Sequence, residues 1–295
     1  MRDDVGYKNA ADVLPRDMRA AFLALPEARR ASAEEFRLRL GKRPSLRTGE
    51  GETPLDFRPV TAEDLDTLLE TATRASAHTA LAQVSAGYIS VRGGVRVGLC
   101  GEAAVGGSGA VVLRRLSSAC VRIPRQAMGC AAGVYRELRA AGLPSTLIVS
   151  PPGGGKTTLL RDLIRLISEG GVRVSLADER GEVGAVGDGQ PGFDLGGCTD
   201  VMTGVPKGEA AMMLLRSMAP QIIAMDEVSA PGDVDAVEAA AGCGVALLAT
   251  AHAADSAGLG ARPVYRRLLE LGVFKKCVTI RRRGDGRVYE VGDLP

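Results

Sequence analysis

The chain has 295 residues, 45% of them apolar, with a formal net charge of +2, aromatics at only 3% and no tryptophan. That length suits one large domain or two ordinary ones, with enough apolar side chains for a real core. The near-neutral charge and the few aromatic rings argue against a surface that binds nucleic acid through phosphate-reading cations and base-stacking platforms, so no nucleic-acid partner is expected.

The opening Met1-Arg2-Asp3-Asp4 is charged and carries no apolar segment of a signal peptide. Residues 9 to 25 read as a first helix with Leu14, Met18, Phe22 and Leu25 on one face. Glu35 to Leu40 alternates polar and apolar, as a strand does. Thr61 followed by Asp64 reads as an N-cap with an acidic third position, opening a helix through about Ala72. Alternating runs on either side of Arg92-Gly93-Gly94 predict a hairpin, Gly106 to Gly109 a further turn, and Leu113 to Ile123 another strand. Residues 1–125 therefore read as a small α+β domain, and His78 within it as a structural residue.

Residues 126–295 change rhythm. A helix over Ala131–Ala141 precedes the strand Thr146–Val149, and a second helix starts near Lys156. Short apolar strands follow at Arg173–Ala177, Gln221–Met225 and Gly244–Thr250, with helices at Glu209–Met218 and Val234–Ala241 between them. Strands alternating with helices at this spacing predict an α/β domain with a mostly parallel, doubly wound sheet, its site at the C-terminal strand ends. Cys277–Arg283 and Arg287–Val291, around Gly284-Asp285-Gly286, read as a hairpin on the sheet edge. Six cysteines (Cys100, Cys120, Cys130, Cys198, Cys243, Cys277) form no Cys-x-x-Cys pair, which argues against a zinc site or a disulfide framework. They read as reduced core residues of a cytoplasmic protein. No window reaches the length of a membrane span.

The motif with the most chemistry is Ser150-Pro151-Pro152-Gly153-Gly154-Gly155-Lys156-Thr157-Thr158, set between an apolar strand and an amphipathic helix. This is the context of a P-loop, the Walker A element that binds ATP. Its backbone N–H groups close around a polyphosphate, the helix N-terminus adds partial positive charge, Lys156 reaches the outer phosphates, and the Thr157 hydroxyl ligates Mg²⁺. Ser150 stands where the strict pattern has glycine, and Pro151 and Pro152 offer no N–H, so the cradle must come mainly from Gly153 to Thr158.

Three later strand ends add polar residues. Asp226-Glu227 after Gln221–Met225 forms the Walker B arrangement, with Asp226 towards Mg²⁺ and Glu227 towards the attacking water. Asp178-Glu179 ends a strand expected to lie close to the P-loop strand, where its carboxylates would face the same phosphates. Glu179 and Glu227 are thus two candidates for one catalytic role, with a surface pair to Arg180 the plainer reading of Glu179. His252 ends the third strand, where it either senses the phosphate or the water or is simply structural. Arg96, Arg114, Arg115, Arg122, Arg125 and Arg216 are candidates to reach a nucleotide within or across subunits.

Together these segments resemble the stage III sporulation protein AA family. The resemblance is carried by 150–162, 177–183 and 213–227, and by Gly94–Gly101 and Ser117–Ile123 in the first domain, and spans most of 35–290. That family is similar to the RecA-like secretion ATPases, so it implies a RecA-like P-loop NTPase domain behind the smaller α+β one. By the same analogy Asp178-Glu179 resembles an acidic box and Thr250-Ala251-His252 a histidine box. It also implies a hexameric ring whose ATP cycle energises a membrane channel of the sporulation stage III complex, between mother cell and forespore. A nucleotide-gated scaffold with little turnover and a RecA-like nucleic-acid motor are the alternatives.

Overall fold

Pro15 divides the first expected helix in two. The computed structural model, which describes residues 4–73, 87–105, 111–186, 191–284 and 286–294, has α1 at Asp4–Ala11 and α2 at Arg16–Leu23. Pro15 sits between them in an extended conformation (φ −51°, ψ 145°), because its ring and missing N–H cannot continue a helix. Pro26 does the same before α3 (Glu27–Ser32). Met18 and Phe22 of α2 are buried as the periodicity predicts.

The chain divides into two compact units, one of residues 1–125 with 185–192, the other of residues 126–184 with 193–295. The first contains a six-stranded antiparallel sheet in the order β3-β2-β1-β6-β5-β4, made of β1 (Ala33–Arg39), β2 (Ser45–Thr48), β3 (Gly51–Pro54), β4 (Tyr88–Val91), β5 (Val95–Val105) and β6 (Val111–Arg122). Tyr7, Phe22 and Phe36 anchor its core, with ring centroids 5.0 Å and 4.3 Å apart around Phe36. Helix α4 (Ala62–Thr73) starts at the expected reciprocal cap: Thr61 N–H donates to Asp64 Oδ2 at 2.8 Å and Asp64 N–H to Thr61 Oγ1 at 3.2 Å. The short β2 and β3 were not expected, because four-residue segments with little apolar content carry no period-2 signal. His78 and the 106–109 turn lie outside the described residues.

The second unit is a seven-stranded sheet in the order β13-β12-β7-β11-β10-β8-β9. Its strands are β7 (Thr146–Ser150), β8 (Val174–Asp178), β9 (Thr199–Thr203), β10 (Ile222–Met225), β11 (Ala246–His252), β12 (Lys276–Arg283) and β13 (Gly286–Asp293). All neighbours are parallel except the β12–β13 hairpin at the edge. Helices α5 (Ala132–Ala140), α6 (Lys156–Glu169), α7 (Lys207–Ser217), α8 (Pro231–Gly242) and α9 (Pro263–Glu270) flank it. β7 and β8 are buried at every position, which is why both read as unbroken apolar runs.

The strand order corrects one expectation. β8 is not next to β7: β11 and β10 lie between them. The cysteine reading also changes. All six thiols are free, but only Cys277 is buried, while Cys100, Cys198 and Cys243 are exposed. Among the described residues no helix is long and apolar enough to cross a membrane.

Candidate functional site

Strand β7 delivers the chain into the glycine loop and the loop delivers it into α6. Ser150 is fully buried at the strand end, and its hydroxyl donates to Pro151 O at 3.0 Å. Gly153 (φ +72°) and Gly155 (φ +101°) hold left-handed backbone, and a Cβ on Gly154 would stand 2.2 Å from Ser150 Oγ. Gly155 is the N-cap of the 14-residue α6, and no side chain caps the helix N–H groups. A tight loop with glycines at its crossings, opening on uncapped helix amides, fits a bound phosphate chain.

Lys156 is the first residue of α6 and only 6% exposed. Its ammonium donates to Ser150 O at 3.0 Å and Pro151 O at 3.4 Å, and lies 2.8 Å from His252 Nδ1. An ammonium has protons only to give, so His252 Nδ1 accepts and the ring proton sits on Nε2. That Nε2 is 2.8 Å from Glu227 Oε2. Burial pushes the Lys156 amine down, while Glu227 and Asp226 pull it back up. His252 is fixed from behind, its backbone N–H donating to Tyr265 OH at 3.0 Å.

Asp226, just past β10, accepts from Thr157 Oγ1 at 3.3 Å and from Thr250 Oγ1 at 3.0 Å. A carboxylate and a hydroxyl at this distance are a donor set for a hard cation such as Mg²⁺. Lys156, Thr157, Asp226, Glu227 and His252 therefore meet at the C-terminal ends of β7, β10 and β11. Thr158 lies one residue on, its carbonyl 3.9 Å from Cys130 Sγ.

The second acidic pair splits. Asp178 is 2% exposed and turned inward, accepting from the backbone N–H groups of Glu182 (3.0 Å), Val183 (3.1 Å) and Gly184 (2.7 Å). It shapes the loop after β8, and burial pushes its carboxyl above the usual range. Glu179 faces a cleft that also receives Glu182, Lys207, Asp226, Glu227 and Ser229. Its partner is Lys207 Nζ at 3.7 Å, not Arg180. The two candidate glutamates share one cleft because their strands, β8 and β10, are parallel neighbours, while β7 adjoins neither.

The arginine candidates separate as well. Arg125 donates to Ala31 O and Ala33 O, tying down the end of α3. Arg122 pairs with Glu35 at 3.4 Å, and Arg96 lies over the Tyr88 ring at 4.0 Å. Arg216 lines a groove with Arg173 and Pro220 at the N-terminal ends of β8 and β10, so it does not bridge towards Asp226 in its own chain.

Three further residues at the site carry no motif. Arg287, 133 residues from the loop in sequence, donates Nε–H to Gly154 O at 2.9 Å. Lys207 enters the cleft from the start of α7. Arg161 of α6 is 7% exposed, donates to Val183 O and Glu182 O at 2.7 Å, and stacks on Phe193; burial lowers it to about 10. Only the fold brings these three in.

A family model, "Sporulation stage III, protein AA", matches residues 10–293. The chain is 35% identical over 289 residues to stage III sporulation protein AA of Bacillus subtilis (strain 168), covering 96% of this chain and 94% of that protein. The chain belongs to the stage III sporulation protein AA family. A more distant relative is Protein SEEDLING PLASTID DEVELOPMENT 1 of Arabidopsis thaliana, 28% identical over 216 residues, 72% of this chain and 29% of that one. Among solved structures, the pilus retraction motor PilT with bound ADP matches with a TM-score of 0.60 at 18% identity, covering 89% of this family member and 80% of PilT. The ATPase DotB of Legionella pneumophila matches at 0.57 and 16% identity, covering 88% and 76%. The family member thus has a RecA-like P-loop NTPase fold, α/β with a mostly parallel sheet, behind a smaller α+β part.

Proposed function

We propose that this chain is a Mg²⁺-dependent ATPase that energises or regulates a secretion-like channel complex during sporulation, between mother cell and forespore. The observation that carries the reading is the convergence of Lys156, Thr157, Asp226, Glu227 and His252 at the mouth of a glycine loop and an uncapped helix. Family membership supports the sporulation role, and the motor ATPase fold supports the coupling of nucleotide turnover to work.

In this reading the amides of Gly153 to Thr158 cradle the phosphates of ATP, with Ser150, Pro151 and Pro152 shaping the loop beneath. Lys156 gives up its contacts to Ser150 O, Pro151 O and His252 Nδ1 and donates to phosphate oxygens instead. Thr157 and Asp226 hold Mg²⁺, which when bound neutralises charge on the outer phosphates. Glu227 orients the attacking water and takes its proton. His252, released by Lys156 but still held by Tyr265 at its backbone and by Glu227 at Nε2, aims that carboxylate. Glu179, restrained by Lys207, is the auxiliary carboxylate in the cleft.

The reading extends to a homo-oligomeric ring, hexameric as in the family analogy, docked on the cytoplasmic side of the membrane through channel proteins of the stage III complex. In this reading residues 1–125 form the α+β domain and residues 126–295 the RecA-like ATPase domain. A second reading, a nucleotide-gated scaffold, draws on the same bonds: Lys156 and Glu227 are both occupied by His252 in this structure. ATP turnover of the wild type, Glu227→Gln and Glu179→Gln separates the two. Turnover that collapses in Glu227→Gln and survives in part in Glu179→Gln supports the ATPase. ATP binding with slow turnover, unchanged in either variant, supports the scaffold.

A further inference from the structure

Arg287 reaches the P-loop from the last hairpin of the chain. Its Nε–H donates to Gly154 O at 2.9 Å. Its guanidinium fills the space a Gly155 Cβ would need, with Nε 2.8 Å and Cζ 3.2 Å from that position. Gly155 immediately precedes Lys156. The two remaining nitrogens of this exposed guanidinium have no partner among the described residues.

Arg282 is the direct cross-strand partner of Arg287 in the β12–β13 ladder. Partners in an antiparallel pair project from one face. The preceding pair on that face, Ile280 and Tyr289, packs against the core beneath α6. Ladder pairing of β12 with β7 stops at Thr279 and Val149, so Arg282 and Arg287 carry this row beyond the strand, to the level of the glycine loop. Two guanidiniums directly opposite one another repel. Arg282 has no carboxylate partner among the described residues, whereas the neighbouring Arg281 pairs with Glu290 at 2.9 Å. A local penalty of this kind at the edge of a site marks positions chosen for a ligand rather than for the fold. The same stretch of loop contains Pro151 and Pro152, which have no N–H to offer an anion.

We propose that Arg287, with Arg282 opposite it, forms a guanidinium clamp in the same chain for the phosphate groups of the bound nucleotide. The C-terminal hairpin carries the clamp and supplies donors where the prolines cannot. A planar fork of N–H groups suits phosphate oxygens, and a shared anion turns the Arg282–Arg287 repulsion into a bridge. The clamp rests on the nucleotide reading above and adds to it two residues that no P-loop pattern contains.

The test is equilibrium binding of a fluorescent ATP analogue to the full chain, with competition by inorganic tripolyphosphate, over a range of salt concentrations. Unfolding temperatures with and without ATP are recorded alongside. Arg287→Ala weakens both anions by about ten- to a hundredfold and makes their affinity less dependent on salt. Arg287→Lys keeps the charge and recovers part of the loss. Arg282→Ala weakens binding less, raises the unfolding temperature of the free protein, and shrinks the rise that ATP produces. Binding and salt dependence unchanged in both alanine variants overturn the clamp while leaving the nucleotide site standing. So does weaker ATP binding in Arg287→Ala at unaltered salt dependence, which would mean that Arg287 only braces the loop. No binding of either probe by the wild type overturns the nucleotide reading itself, and the clamp with it.

Discussion

Replacing Asp178 by alanine separates the architecture of the site from its chemistry. Asp178 ends a strand beside Glu179 and by its position in sequence is expected to face the phosphates, yet its carboxylate binds three backbone N–H groups and no site residue. Val183 and Gly184 are buried, so two of those donors would be stranded without an acceptor, whereas Glu182 is exposed and water can replace the loss. A stranded buried donor costs about 1–3 kcal/mol. Part of this is returned, because burial already disfavours the Asp178 charge. The net expectation is a loss of about 2–4 kcal/mol, or about 5–15 °C in unfolding temperature for a unit of this size. Asp178→Asn retains one acceptor oxygen and falls between. Glu179→Gln, at a 3.7 Å pair between the exposed Glu179 and the half-buried Lys207, changes stability by less than about 0.5 kcal/mol. Thermal unfolding followed by circular dichroism reads all three. A shift below about 2 °C for Asp178→Ala would refute the assignment of Asp178 as the structural anchor of this loop.

The two nitrogens of Arg58 hold Asp64, whose carboxyl lies near 2 instead of 3.8, with help from the Thr61 N–H. A lowered folded value means stability that is present above the unfolded value and lost as pH falls from about 4 towards 2, worth about 1–2 kcal/mol. In urea unfolding, Asp64→Asn should remove that contribution at pH 7 and flatten the acid slope; an unchanged slope would contradict it. Gly155→Ala, at φ +101° and against the Arg287 guanidinium, should lose ATP binding while the protein still unfolds cooperatively; retained affinity would show that the loop adapts. A thiol reagent should label the exposed Cys100, Cys198 and Cys243 quickly and leave Cys277 and Cys130 slow, since burial raises both thiols, Cys130 to about 11. Mass spectrometry after brief labelling reads the order.

Legibility in the sequence followed the strength of the physical signal. Buried parallel strands such as Thr146–Ser150 and Val174–Asp178 announce themselves as apolar runs, and glycine-rich 153–155 between strand and helix has few other uses. Thr61 and Asp64 fix a helix start through a local bond that needs no tertiary contact. Strand order is different, because it depends on where each crossover helix lands; nothing local in Val174–Asp178 says that β10 and β11 separate it from β7. Arg287, Lys207 and Arg161 stayed hidden for the same reason, each being an ordinary cation until folding brings it to the loop or the cleft. The broken first helix was readable at Pro15, whose ring outweighs the apolar periodicity on both sides.

The most direct test of the central claim is calorimetric titration of ATP, with and without Mg²⁺, into the wild type and Lys156→Ala. The account predicts Mg²⁺-strengthened binding to the wild type and none to a Lys156→Ala protein that still unfolds cooperatively. Equal binding by the two proteins, or none by a folded wild type, would contradict it.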